Sequence, residues 1–207
     1  IEFNAPVISG NVSLYNETQV SSIFPTPVIG AVGLLQNVEK HCESAFKNPD
    51  DLVFLLGVDQ VDLSLKYFAG SEFLELIHNK IEGAPEININ LEMILQKACR
   101  DLIASDLLNS CHDCSDGGLA IAIAESAILG NKGFVANFKL KERWDSALFA
   151  EKQSRVVISF NPSRSNEITE ICSRYGLPFL ELGKVTSDRF KLSEFIDLDI
   201  NEISHIW

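Results

Sequence analysis

Apolar positions along the chain fall into short strand-like runs separated by stripes of helical spacing. Residues 5–9 and 27–35 (PVIGAVGLL) are apolar and rich in β-branched side chains. Polar residues 11–22 join them, Pro25 and Pro27 mark the entry to the second run, and both runs read as strands. After Gln36 the sequence turns polar and charged as far as Pro49, which predicts a division into 1–36 and 37–207. Residues 52–58 (LVFLLGV) are continuously apolar, as a strand buried on both faces requires. Gly70 and Ser71 then precede a short helix carrying Glu72, Leu74, Leu76 and Ile77, which ends near Gly83 and Pro85. Over 90–108, Leu91, Ile94, Leu95, Ala98, Leu102, Ile103 and Leu107 recur at i, i+3 and i+4, predicting an amphipathic helix with Asn90 as its cap.

The second half continues the alternation. Residues 110–114 read as a short strand and 117–129 as a helix, apolar all round except at Glu125 and Ser126 and therefore largely buried. Strands follow at 133–139 and 155–160, then a helix over 161–175 with Pro162 in its first turn and Gly176 past its end. Runs at 180–185 and 190–192 complete a sheet. The order predicts an α/β fold: a mixed sheet with packed helices, preceded by a fragment of a second domain.

Composition narrows the function classes. The chain has 207 residues, 46% hydrophobic, and 29 acidic against 17 basic side chains give a net charge of -12. Such a field repels polyanions, so neither nucleic acid nor an anionic membrane is an expected partner. Any bound phosphate must meet backbone N–H groups, a local base or a metal ion. No window approaches eighteen consecutive apolar residues, and the opening IEFNAPVISGN has neither the basic nor the apolar region of a signal peptide. It begins without methionine, inside a predicted strand, which is the expectation for a piece of a longer chain.

Five cysteines, an odd number at irregular spacing, suit a reducing compartment such as the cytoplasm. Cys111 and Cys114 form a C-x-x-C, which raises zinc and redox readings. A zinc site needs a second ligand pair, however, and His41, His78 and His205 are isolated. The plainer reading is two small apolar side chains at the end of a buried strand.

Two segments carry candidate chemistry. In Ser9-Gly10-Asn11-Val12-Ser13, a glycine leaving a strand lets backbone approach a phosphate. Asn11 offers a carbonyl oxygen to a hard cation such as Mg²⁺, and Ser13 offers a hydroxyl to a phosphate or sugar oxygen. The alternative is a polar turn whose side chains bond their own backbone. In residues 112–118 (HDCSDGG), a strand runs into a helix that Ser115 or Asp116 would cap, and the glycines leave its positive end open to an anion. Asp113 would repel a phosphate there unless a divalent cation lay between them. The alternative is an ordinary capped helix start.

The stretch SGNVSLYNET at 9–18, followed by IFPTPVIGAVGLL at 23–35, resembles the synthetase subunits of the phosphoribosylformylglycinamidine synthase family, within the aminoimidazole ribonucleotide synthetase-like superfamily. FAGSEF at 68–73, HDCSDGGLAIAIAESAI at 112–128 and LFAEKQSRVVISF at 148–160 agree in the same order. The resemblance implies the last strands of an ATP-binding-type domain followed by a whole C-terminal α/β domain. It also implies an ATP-dependent ligase that converts formylglycinamide ribonucleotide and glutamine-derived ammonia to the amidine. ATP and Mg²⁺ are the implied cofactors. The implied partners are the N-terminal half of the same synthetase, a glutaminase subunit and a small accessory subunit.

By position, Gly10 resembles the family's ATP contact, Asn11 its metal ligand and Ser13 its substrate contact, while Asp113 and Ser115 resemble an auxiliary nucleotide and Mg²⁺ site. Lys152 in Glu151-Lys152-Gln153 departs from the Glu-Ser-Gln that binds substrate in the family's other half, so these three are not read as substrate ligands. The family's histidine base and ATP lysine lie in that other half. The piece alone is accordingly expected to be inactive, with no catalytic residue of its own. Competing readings are another ATP-using member of the superfamily, or a structural and interaction half-domain.

Overall fold

The computed structural model describes residues 2–207 apart from 13–16, 24, 25, 62, 142 and 195. The chain divides into two compact units, Ile1–Glu39 and Lys40–Trp207.

In the first unit, the regular pairing among described residues is one isolated antiparallel bridge, Glu17 to Ser22. The Thr18 N–H donates to the Ser21 carbonyl at 2.8 Å, closing a turn inside that bridge. The strands expected at 5–9 and 27–35 do not form: the described residues there are irregular, and Val7, Ile8, Val28, Ile29, Val32 and Leu34 are exposed. Strand propensity alone does not make a strand. Backbone N–H and C=O groups need a neighbouring ladder and the apolar face needs a cover, and the described residues of this unit supply neither.

The second unit is a seven-stranded sheet in the order β2-β4-β1-β5-β3-β6-β7. Its strands are β1 (Leu52–Leu56), β2 (Ser110–Asp113), β3 (Gly133–Ala136), β4 (Val156–Phe160), β5 (Phe179–Thr186), β6 (Arg189–Leu192) and β7 (Ile196–Asp199). Pairing is antiparallel except between β3 and β6. The helices are α1 (Glu72–His78), α2 (Ile89–Ala104), α3 (Gly118–Gly130), α4 (Trp144–Phe149), α5 (Ser165–Tyr175) and α6 (Ile200–Ile206). The mixed α/β fold expected from the alternation is therefore present.

Two cores form because the central strand alternates between faces. Val53 and Leu55 of β1 join a cluster with Leu119 and Ile123 of α3, Leu148 of α4 and Ile200 of α6. Phe54 and Leu56 face the other way, into a cluster with Leu95 and Leu102 of α2 and Ile168 of α5. Each face of the apolar run at 52–58 thus has its own layer of helices.

The long helix starts two residues earlier than predicted, with Asn88 rather than Asn90 as the cap. The Asn88 side chain accepts from the Leu91 N–H at 3.1 Å. It also ends earlier, at Ala104. Asp106 adopts a left-handed conformation (φ 54), and the Leu107 N–H bonds back to the Leu102 carbonyl at 3.2 Å. Leu107 is buried through this turn rather than as part of the helical stripe. Gly176 closes α5 in the left-handed conformation, as its position predicts. Helices α4 and α6 and strand β7 were not predicted. At six or seven residues the helices are too short to carry a readable period.

Candidate functional site

Strand β2 lies at the edge of the sheet, paired with β4 so that His112 faces Val157 and Asp113 faces Val156. The Cys114 N–H extends the pairing to the Arg155 carbonyl at 2.9 Å. The chain then turns through exposed Ser115 and Asp116 into α3. The expectation that Ser115 or Asp116 caps this helix is corrected. The N-cap is Gly117, left-handed at φ 73, with no side-chain cap of its own. The Gly117 N–H instead donates to Glu151 Oε1 at 2.8 Å.

The same Oε1 accepts from the N–H of Glu72, first residue of α1, at 2.9 Å. Two helix starts meet here, each with unsatisfied N–H groups and a positive end, and one carboxylate serves both. Gly118 is also left-handed (φ +72). A Cβ there would stand 2.7 Å from the Ala150 carbonyl oxygen and 3.0 Å from that of Leu148. Glycine thus lets α3 abut the end of α4. Buried Arg155 holds the intervening turn, donating from Nη2 to the Ala150 carbonyl at 2.6 Å and from Nε to the Lys152 carbonyl at 3.0 Å.

Asp113 and Ser115 both lie exposed along this turn, the Asp113 side chain at 75%. An exposed carboxylate beside a helix start could hold a cation that bridges to phosphate. The Gly117 N–H already belongs to Glu151, so a phosphate would bind the remaining polar groups of the turn. Behind Asp113, His112 Nε2 lies 3.0 Å from Glu125 Oε2 of α3, and His112 Nδ1 lies 3.6 Å from Asp113 Oδ1. Among the described residues, no group of three or more His, Cys, Asp or Glu side chains is arranged to hold a metal ion.

The C-x-x-C pair is divided between the two cores. Cys114 is buried in the α3 layer, while Cys111 packs against the α2 layer, three residues of strand-like backbone putting them on opposite faces. A hydrogen bond with the Cys99 thiol, followed by burial, raises the Cys111 pKa. Burial pushes Cys114 up to about 11. Both thiols are held in their protonated form by these surroundings.

Three clefts lie nearby. One of about 480 Å³ has stacked Phe68 and Phe73 in its wall (centroids 5.0 Å apart) and Arg143 and Asp145 on its rim. That rim is satisfied internally: Arg143 bonds Asp145 through Nε at 2.9 Å and Nη2 at 2.7 Å, holding the Asp145 carboxyl below its ordinary range. Two smaller clefts, of about 220 and 250 Å³, share Tyr67 and Lys152. The Lys152 ammonium stands 5.8 Å from the Tyr67 ring centroid, and burial, reinforced by the Arg155 charge, lowers its pKa.

Gly10 and Asn11 belong to the first unit, in exposed irregular backbone where a Cβ at Gly10 would meet nothing within 4 Å. Ser13 lies outside the described residues. The sequence reading passed over Glu125 and the bridging role of Glu151. Glu125 carried a signal as the one charged residue in an otherwise apolar helix. Nothing local announced that Glu151 reaches two helix starts.

The architecture is a mixed α/β domain whose glycine-rich strand–helix turn carries an exposed acid. The family described as AIR synthase related protein, C-terminal domain, matches residues 48–193, and the chain belongs to this family. Over its whole length it is 38% identical to phosphoribosylformylglycinamidine synthase subunit PurL of Alkaliphilus metalliredigens, and over 99% of its length it is 37% identical to that of Caldanaerobacter subterraneus. The chain spans about 28% of the length of each. Among solved structures it resembles Thermotoga maritima PurL complexed with FGAR (TM-score 0.66, 18% identity, 81% of this chain and 30% of that one). It also resembles T. maritima PurL complexed with ATP (TM-score 0.59, 16% identity, 81% and 28%) and PurLQS from the same organism (TM-score 0.61, 16% identity, 81% and 28%). These likenesses concern the fold.

Proposed function

We propose that this chain is the C-terminal part of a phosphoribosylformylglycinamidine synthase of the PurL type. The observation that carries the reading is 38% identity to a PurL subunit across the whole chain, including the stretches around Gly10 and Asp113. The parent enzyme is an ATP-dependent ligase of purine biosynthesis. The γ-phosphoryl group of ATP passes to the amide oxygen of formylglycinamide ribonucleotide. Glutamine-derived ammonia then adds to that carbon, and phosphate leaves to give the amidine.

This chain supplies one wall of the site. Gly10 lets backbone approach ATP, the Asn11 carbonyl oxygen is a ligand for Mg²⁺, and the Ser13 hydroxyl touches substrate. Mg²⁺, when bound, neutralises phosphate charge. Asp113 and Ser115 form an auxiliary nucleotide and metal site at the head of α3. The T. maritima PurL complexes with ATP and with FGAR support ATP and formylglycinamide ribonucleotide as ligands. The N-terminal half of the synthetase, a glutaminase subunit and a small accessory subunit are the partners, a reading in keeping with the likeness to PurLQS. The compartment is the cytoplasm. No helix among the described residues is long and apolar enough to cross a membrane.

The test replaces the corresponding segment of A. metalliredigens PurL with this chain and measures amidine formation from formylglycinamide ribonucleotide, ATP and ammonia. Activity is expected, and Asn11→Leu in the chimera should lower kcat/KM by about 10²–10³. A folded chimera without activity overturns the proposal.

A further inference from the structure

We propose that the cleft between Tyr67 and the start of α2 binds a phosphoryl oxyanion, held by the Lys152 ammonium, the first N–H groups of α2 and the Ser154 hydroxyl. The site uses no residue of the β2–α3 turn and needs no metal ion.

The first observation is an unanswered charge. Lys152 lines the cleft, is partly buried and forms no ion pair among the described residues. Its Nζ stands 5.8 Å from the Tyr67 ring centroid, with Lys66 Nζ 5.0 Å from the same ring. Lys66 has its own counter-ion, Glu86 at 2.6 Å. Asp59 acts on Lys152 only as a more distant charge, and Glu151 is engaged by the Gly117 and Glu72 N–H groups. Buried Arg155 adds a second cation, and its hydrogen bonds go to backbone carbonyls. Two cations held partly out of water in this way favour an anion.

The second is the helix start. Asn88, the cap of the 16-residue helix α2, lines the same cleft. Its side chain accepts from the Leu91 N–H at 3.1 Å and its carbonyl from the Glu92 N–H at 2.9 Å. The N–H groups of Ile89 and Asn90 are left without an acceptor among the described residues. The Glu92 carboxylate is turned to Gln96 Nε2, 2.8 Å away on the following turn. Open N–H groups at a positive helix end suit a phosphate.

The third is Ser154, which lines the cleft at 8% exposure and whose Oγ has no hydrogen-bond partner. Its backbone is left-handed (φ 62) and its carbonyl oxygen packs against Gly57, so the residue is fixed while the hydroxyl can still turn. A buried hydroxyl left unpaired is an unmet contact that a ligand oxygen satisfies. The cleft holds about 220 Å³, below the span of drug-sized ligands but ample for a phosphoryl group. A tetrahedral oxyanion has oxygens for an ammonium, two amides and a hydroxyl at once, more than a planar carboxylate offers.

The experiment titrates the full chain with inorganic phosphate in metal-free buffer, by calorimetry and by amide ¹H–¹⁵N shifts, and repeats it with ribose 5-phosphate and with acetate. One phosphate is expected to bind with a dissociation constant of about 1 mM or tighter. The Ile89, Asn90 and Ser154 amides should shift with it. Lys152→Gln should weaken binding at least about tenfold and Ser154→Ala by several-fold, while Asp113→Asn leaves it unchanged. The shifts of the unsubstituted chain decide the matter even if a variant fails to fold. Tighter binding of ribose 5-phosphate identifies the occupant as a phosphate ester, and tighter binding of phosphate identifies the free ion; each supports the inference. Acetate binding as tightly as phosphate overturns it, as does the absence of saturable phosphate binding. Phosphate binding that survives Lys152→Gln and is lost in Asp113→Asn also overturns it, and places the anion at the β2–α3 turn instead.

Discussion

Glu151 Oε1 lies 2.8 Å from the amide nitrogen of Gly117, across 34 residues of chain, and holds the first turn of α3 against the turn that follows α4. The same oxygen reaches the start of α1, so one side chain ties three segments distant in sequence. Its place at two positive helix ends makes it an anion built into the fold.

Glu151→Ala should therefore destabilise the second unit by about 2 kcal/mol, since two N–H groups lose a charged acceptor. Glu151→Gln keeps an acceptor oxygen and should cost about half as much. Urea unfolding measures the loss, and hydrogen exchange at the Gly117 and Glu72 amides locates it. Unchanged exchange at both amides in the alanine variant would show that the contact is incidental.

Gly118→Ala should cost about 2–3 kcal/mol. The residue sits at φ +72, and the added Cβ meets two backbone carbonyl oxygens at 2.7 and 3.0 Å. Gly176, equally left-handed, has nothing within 4 Å of its would-be Cβ. Gly176→Ala should thus cost only the conformational penalty, about 1 kcal/mol. Thermal melting of the pair separates clash from conformation, and equal losses would refute the close-approach argument.

Cysteine reactivity should be low in the native chain. Burial pushes Cys42, Cys114 and Cys172 each up to about 11. At pH 8 only about one thiol in a thousand is then ionised, and the thiolate is the reactive form. Alkylation at pH 8 followed by mass spectrometry should leave these three largely unmodified until urea is added. Rapid native labelling of buried Cys114 would contradict the packing.

Asp51 should give the fold an unusual pH response. It is buried, and burial raises its carboxyl above the ordinary 3.8, against the opposing pull of the Asn109 and Asn48 amides. The folded state holds this proton more tightly than the unfolded chain. Its contribution is therefore complete below the ordinary aspartate value and is lost as pH rises through the raised folded value. Asp51→Asn removes that slope while the Asn109 contact, 2.8 Å from the carboxylate, can re-form through the amide oxygen. Unfolding free energies of both chains between pH 3 and 7 should show the original losing ground relative to the variant as pH rises. A constant difference would dispose of the claim.

Much of the second unit was legible in the sequence because its signals are local. The apolar run at 52–58 requires cover on two faces, and β1 has it. The stripe from Leu91 to Ile103 reads as a helix and lies as one in α2. The largely apolar character of α3 anticipates its burial, and Gly176 ends α5 as its lack of a side chain allows. Each rests on periodicity or backbone freedom, properties of neighbours in sequence. The family resemblance was legible for the same reason, being carried by contiguous stretches.

Only the tertiary structure decided the rest. Sequence placed Asn11 and Asp113 as candidates from their residue types, but not that Asn11 would lie in exposed, irregular backbone. It showed strand propensity at 5–9 and 27–35, yet a strand exists only when another segment completes its hydrogen bonds. Cys111 and Cys114 looked like a pair, and a pleated backbone sends them into different cores. Glu151 and Glu125 are ordinary carboxylates in the sequence. Their partners lie 34 and 13 residues away at Gly117 and His112, and the apolar packing that brings those partners within 3 Å is set by the whole sheet and its helices.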